Sequence, residues 1–232
     1  MKKTAILALA FSLSFWACQK DSVVVDEYDL AMSKVKYECT GIKDSIYFQA
    51  NMGNSQFCMS SEKIGAKANS GVSLRSNNFE VYFYSTRGDI SYQPIIKLQS
   101  PNLQNGLKAY EICDIQLKQG VSNPIRGFSD NGSTNFNVIL EVDGDLTDTH
   151  NGVSSNIKSR SVYFAVSSAG VQLTSAAIAF DEVIRTESVN SVHYEVKGHF
   201  NCKLYRPSGA VEGKFFNDLS DAQFKFSIDA AK

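Results

Sequence analysis

Residues 193–205, HYEVKGHFNCKLY, alternate almost without a break: Tyr194, Val196, Phe200, Cys202 and Leu204 against His193, Glu195, Lys197, His199, Asn201 and Lys203. A period of two sends the first set to one face of a strand and the second to the other, so this segment needs one covered side and one wet side. Gly198 interrupts the apolar set and predicts a bulge or bend. The same alternation marks FEVYFYST through Phe79, Val81 and Phe83, and TNFNVILEV through Phe136, Val138, Leu140 and Val142. AQFKFSI repeats it with Phe224, Phe226 and Ile228. Turn residues separate the runs: Gly53-Asn54, Arg87-Gly88-Asp89, Asp143-Gly144, Ser168-Ala169-Gly170 and Ser208-Gly209. No helical stripe longer than a few turns is visible. The expected fold is all-β, an antiparallel two-sheet β-sandwich. At 43% hydrophobic, 232 residues supply one sizeable core. The Pro/Gly/Ser/Asn-rich stretch 121–135 reads either as a boundary between two small domains or as one long loop, and a single domain over 35–232 is the reading taken.

The N-terminus reads as an address. Met1-Lys2-Lys3 is positive, and Thr4 to Ala17 is apolar or small up to Cys18, the pattern of a signal peptide over 1–17. The run is shorter than the ~20 residues a spanning helix needs. An ordinary signal peptidase requires small side chains one and three positions before its cut. Cleavage after Ala17 would place Phe15 in the third position, and cleavage after Cys18 would place Trp16 there; both are too bulky. Ala17-Cys18 does supply a small residue before a cysteine whose thiol can accept a diacylglycerol.

These residues resemble the lipobox of bacterial lipoproteins, in the looser form of the Bacteroidetes type, with Phe15 and Trp16 where Leu and Ala or Ser usually stand. Gln19-Lys20-Asp21 is similar to the signal that sends such lipoproteins to the outer face of the outer membrane; Ser22 departs from it, and Asp26 and Glu27 follow. The resemblance implies acylation, palmitate included, at Cys18, a sorting signal in Gln19, Lys20 and Asp21, a tether over 18–34, and a cell-surface location. A thioether-linked diacylglycerol plus an amide-linked chain, at ~0.8 kcal/mol per buried methylene, makes such an anchor effectively permanent. Further along, GVQLTSAAIAF, VKGHFNCKLY and GKFFNDLSDAQFKFSI are similar to the closing strands of uncharacterised small β-sandwich lipoproteins of that group, and SIYFQANMGNSQFCMS to their opening hairpin. That likeness implies a fold and brings no catalytic residue.

Charge excludes one class of partner. With 23 basic and 24 acidic residues there is no excess positive charge to follow a phosphate backbone, so no nucleic acid is expected. Cys39, Cys58, Cys113 and Cys202 remain beside Cys18, an even number open to one or two disulfides in any of three pairings, or to burial as small hydrophobes. None lies in a CxxC, and neither metal nor cofactor is expected.

Four patterns bear on chemistry. His193 and His199 share a strand face but lie ~20 Å apart along it, and His150 is assigned to a loop. The acidic stretch around Asp143, Asp145 and Asp148 has oxygen ligands for calcium but fails the EF-hand template at its glycine and final glutamate. Arg87-Gly88-Asp89 is an integrin-type tripeptide that a tight turn explains equally well. Tyr82, Tyr84 and Tyr92 lie opposite Phe79, Val81 and Phe83, with Tyr84 and Tyr92 facing each other across a three-residue turn; such a row either stacks on sugar rings or pairs across strands. The resulting expectation is a non-catalytic binding or structural module tied to the membrane by lipid, its ligand an extracellular glycan or protein. The alternatives are a glycan-binding accessory lipoprotein and a hydrolase whose site the sequence hides.

Overall fold

The structure is a computed structural model that describes residues 45–59, 67–75, 78–86, 92–100, 106–125, 136–144, 146–150, 153–157, 162–167, 170–173, 175–207 and 213–232. In chain order they form β1 (Tyr47–Met52), β2 (Ser55–Cys58), β3 (Lys67–Arg75), β4 (Asn78–Thr86), β5 (Tyr92–Ser100), the helix α1 (Ala109–Gln116), β6 (Ser122–Pro124), β7 (Asn137–Gly144), β8 (Leu146–His150), β9 (Val153–Ile157), β10 (Val162–Val166), β11 (Ala177–Glu187), β12 (Ser191–Tyr205) and β13 (Phe215–Ala231). Among the described residues the fold is all-β apart from the short α1, as the alternation predicts. Its strands pair antiparallel in one 11-stranded sheet, ordered β2-β1-β13-β12-β10-β7-β5-β4-β3, with β11 on β12 and β6 on β11; β8 and β9 make a separate hairpin.

The sheet curls because its apolar face has to be covered. Phe79, Val81 and Phe83 of β4, Phe136, Val138 and Leu140 at β7, and Val196, Phe224 and Phe226 of β12 and β13 have essentially no solvent exposure. β4 is far from β13 along the hydrogen-bond ladder, yet the Phe83 ring lies 5.6 Å from that of Phe48 on β1 and 5.9 Å from those of Phe224 and Phe226. One arm of the sheet therefore folds over the other and traps an aromatic core. Most of the rings meet tilted or edge-on, with Phe224 and Phe226 stacked at 22°, and burying each is worth about 1.5–3 kcal/mol.

The irregularity expected at Gly198 is present in the β11–β12 ladder, with the extra residue on the partner strand. β12 runs straight through Gly198, and the register shift lies between Phe180 and Glu182 of β11. A Cβ at 198 would sit 2.5 Å from both the Ala179 carbonyl oxygen and Phe224 Cζ, so the glycine is there to let backbone and ring approach.

The helix α1 was not anticipated. Glu111 Oε2 accepts from the Lys108 backbone N–H at 2.8 Å at its start, and Ile112 and Cys113 turn into the core. Its outer residue Asp114 accepts the Tyr194 hydroxyl at 2.7 Å and Arg185 Nε at 3.1 Å, clipping the helix to β12 and β11.

Candidate functional site

The described residues bring some of the expected site residues into view. Cys18, Gln19, Lys20, Asp21, Cys39, Arg87-Gly88-Asp89 and Asp145 lie outside them. Cys58 at the end of β2 is disulfide-bonded, whereas Cys113 and Cys202 are free, buried thiols. Two bridges among the four cysteines are therefore not formed. Burial pushes the Cys113 thiol up to about 12, with Asp114 adding to it, and also raises Cys202; both are small hydrophobes rather than nucleophiles. Asp143 is in β7 opposite Gln93, and Asp148 is in β8 opposite Ser155, so the supposed ion loop is largely extended strand. His150 ends β8 instead of lying in a loop. Among the described residues no three His, Cys, Asp or Glu side chains converge on a metal position.

The tyrosine row also changes. The β4–β5 register sets Tyr84 opposite Ile95, not Tyr92. Tyr82 and Tyr84 stack on each other with centroids 5.9 Å apart and 27° between planes, so each covers part of the ring face that a sugar would need.

The wet faces of β12 and β13 carry the richer chemistry. Toward the start of β12, ionisable side chains pair across strands: His193 Nδ1 with Asp229 at 2.8 Å, Lys225 with Glu195 at 3.4 Å, Lys197 with Glu182, and His199 Nδ1 with Asp181 at 2.9 Å. Glu182 holds the Lys197 ammonium above its ordinary value. Both histidines sit on open sheet, with side chains 38% and 54% exposed, and not in a cleft.

Further along the same strands the charges give way to amides. Here β13 carries an extra residue. Its register with β1 shifts between Gln49 and Asn51, and its register with β12 shifts between Phe200 and Cys202. Both shifts fall at Asp221, whose φ of 50° makes it the one non-glycine with positive φ among the described residues. Such a conformation is uncommon outside glycine, and Asp and Asn tolerate it best. The bulge turns the Asp221 side chain outward between two asparagines. Asn201 Oδ1 accepts the Asp221 backbone N–H at 2.7 Å, and Asn51 Nδ2 donates to Asp221 Oδ2 at 2.9 Å. One step along, Gln49 Nε2 donates to Gln223 Oε1 at 2.9 Å, and Gln56 of β2 stands opposite Asn51. These residues border a shallow groove of about 190 Å³ lined by Gln49, Ala50, Asn51, Gln56, Asp221 and Gln223. Tyr47, half-buried, occupies the same face two positions before Gln49.

No sequence motif announces this group, because its members come from β1, β2, β12 and β13. The one local signal is Asp221, a residue tolerant of positive φ, in the middle of a long alternating run. A second hollow, about 420 Å³ between β6 and residues 172–177, is lined by uncharged side chains such as Ser122, Ile125, Gln172 and Leu173. Gln172 there is already engaged, bridging the Ser167 carbonyl and both backbone groups of Lys203. Compared with known proteins, the chain matches no family model, and no curated protein or solved structure is significantly similar to it.

Proposed function

We propose that this chain is a lipoprotein of the outer membrane, anchored through Cys18 and facing the cell exterior, whose domain is a non-catalytic binding module. In this reading Gln19, Lys20 and Asp21 direct export to the surface, residues 18–34 hold the domain away from the lipid, and the two arms of the curled sheet act as the two layers of a β-sandwich. The observation that carries the binding role is the amide group around Asp221: side chains fixed by one another, on rigid strands, with their remaining donors and acceptors turned outward. Nothing within the group supplies a nucleophile beside a base, and the two His–Asp pairs stand on open sheet, so binding is favoured over turnover.

The test is fractionation and protease shaving of intact cells. Cys18→Ser is expected to move the protein out of the membrane fraction and to abolish incorporation of labelled fatty acid; continued membrane association would overturn the anchor. Replacing Lys20 and Asp21 by Ala is expected to protect the protein from external protease, and unchanged shaving would overturn the sorting role.

A further inference from the structure

We infer that the bulge at Asp221 is the centre of a site for a neutral saccharide, a proposal that rests on the binding-module reading and names its ligand class. The first argument is the hydrogen-bond inventory. A primary amide has two N–H donors and an acceptor oxygen, and a carboxylate accepts only. After the bonds made among themselves, Asn51 keeps one N–H and its oxygen, Gln49 one N–H and its oxygen, and Gln223 and Asn201 both N–H groups. Asp221 keeps one carboxylate oxygen, with no cation paired to it among the described residues. Donors and acceptors are therefore intermingled over a patch that spans the three neighbouring strands β1, β13 and β12. A ligand matching it must both donate and accept at neighbouring positions, as vicinal hydroxyls do.

The second argument is charge. The only formal charge in the group is negative, which opposes phosphate, sulfate and uronate ligands, and a lone carboxylate ringed by amides is a poor cation cage. The third argument is preorganisation. The positive φ at Asp221 and the simultaneous break in both neighbouring ladders are costs that plain sheet would avoid; they re-aim one carboxylate between two strands. At about 190 Å³ the groove is below the size that encloses a whole small molecule, so it suits one residue of a longer chain lying across the sheet. Tyr47 adds a half-buried ring on the same face.

The experiment is native affinity electrophoresis of the full-length chain, extracted in mild detergent, through gels containing dextran, galactomannan, xylan or amylopectin, with gelatin and alginate gels beside them. The wild type is expected to be retarded in at least one neutral polysaccharide. Asp221→Gly keeps the backbone conformation, and Gln223→Ala changes an exposed strand position; each is expected to weaken retention by about tenfold or more, while thermal melting confirms that both stay folded. Tyr82→Ala is expected to leave retention unchanged. Retardation in none of the neutral gels, retention insensitive to both variants, or retention in gelatin or alginate alone would overturn the saccharide site. Release of reducing ends from a retained polysaccharide, abolished by the same variants, would support the site while overturning only its non-catalytic character.

Discussion

The wet face of β12 and β13 holds two regions built on the same pair of strands and governed by opposite rules. In the charged region, His193, Glu195, Lys197 and His199 each meet an acidic or basic partner on a neighbouring strand, and the β12–β13 ladder is regular, the register shift there lying on β11 between Phe180 and Glu182. In the amide region the ladder breaks on both sides of β13, and the side chains satisfy each other only in part. The first region is closed chemistry that keeps a surface soluble. The second is open chemistry, kept in place by a local distortion. The contrast is between hydrogen-bonding capacity spent within the surface and capacity left open on a fixed frame.

The largest expected effect removes the floor beneath both regions. Phe224 lies under the sheet against Phe83, Phe180, Phe200 and Phe226, and Phe224→Ala is expected to cost about 3–5 kcal/mol by denaturant unfolding. A loss under 1 kcal/mol would mean that the core is looser than its ring contacts indicate. Next comes the clip at the charged end: Tyr194→Phe strips the hydroxyl that Asp114 accepts and is expected to cost about 1–2 kcal/mol. In an Asp114→Ala background the same change should cost clearly less, and additive losses would disprove the pairing.

Third, the distortion itself can be probed. Asp221→Gly is expected to leave stability within about 1 kcal/mol of wild type, since relief of the strained φ offsets the lost Asn51 contact, whereas Asp221→Val should cost about 2 kcal/mol. Equal effects of the two would indicate that the left-handed conformation is not maintained.

The smallest effects belong to the exposed ion pairs. Lys232 and Arg185 hold the Glu187 carboxyl below its ordinary range. A carboxyl lowered in the fold adds stability above its unfolded value, and that stability is lost as pH falls through the folded one. Glu187→Gln should thus lower Tm slightly near neutrality, and the difference should shrink as pH falls below the ordinary carboxylate range. Lys197→Met is expected to move Tm by no more than about 2 °C, and less in 1 M salt. A larger salt-resistant shift would show that the charged region contributes more than solvation.

Much of the fold was legible because alternation is a local signal. Tyr194, Val196, Phe200, Cys202 and Leu204 all point inward, as their spacing requires. The curl was not legible, since Phe83 meeting Phe48 and Phe224 is a contact between distant segments that no window of sequence records. The helix α1 escaped because eight residues holding Glu111, Asp114 and Gln116 make too short and too polar a stripe to stand out. The tyrosine row was misread by register: three positions of slip in the β4–β5 hairpin exchange Tyr92 for Ile95. The amide group was invisible for a different reason. Its members come from four strands, and the one local trace is slight: Leu219 and Ala222 stand three positions apart across Ser220-Asp221, and the backbone geometry at Asp221 shows what that spacing means.

That extra residue also acts on assembly of the sheet. β12 and β13 are long and periodic, and a slide of one past the other by two residues would keep Phe200, Phe224 and Phe226 facing inward, so hydrophobic pattern alone selects their alignment weakly. An inserted residue that meets β1 on one side and β12 on the other has one place where both neighbours can accommodate it. The distortion at Asp221 is thereby a registration mark, fixing three strands against one another.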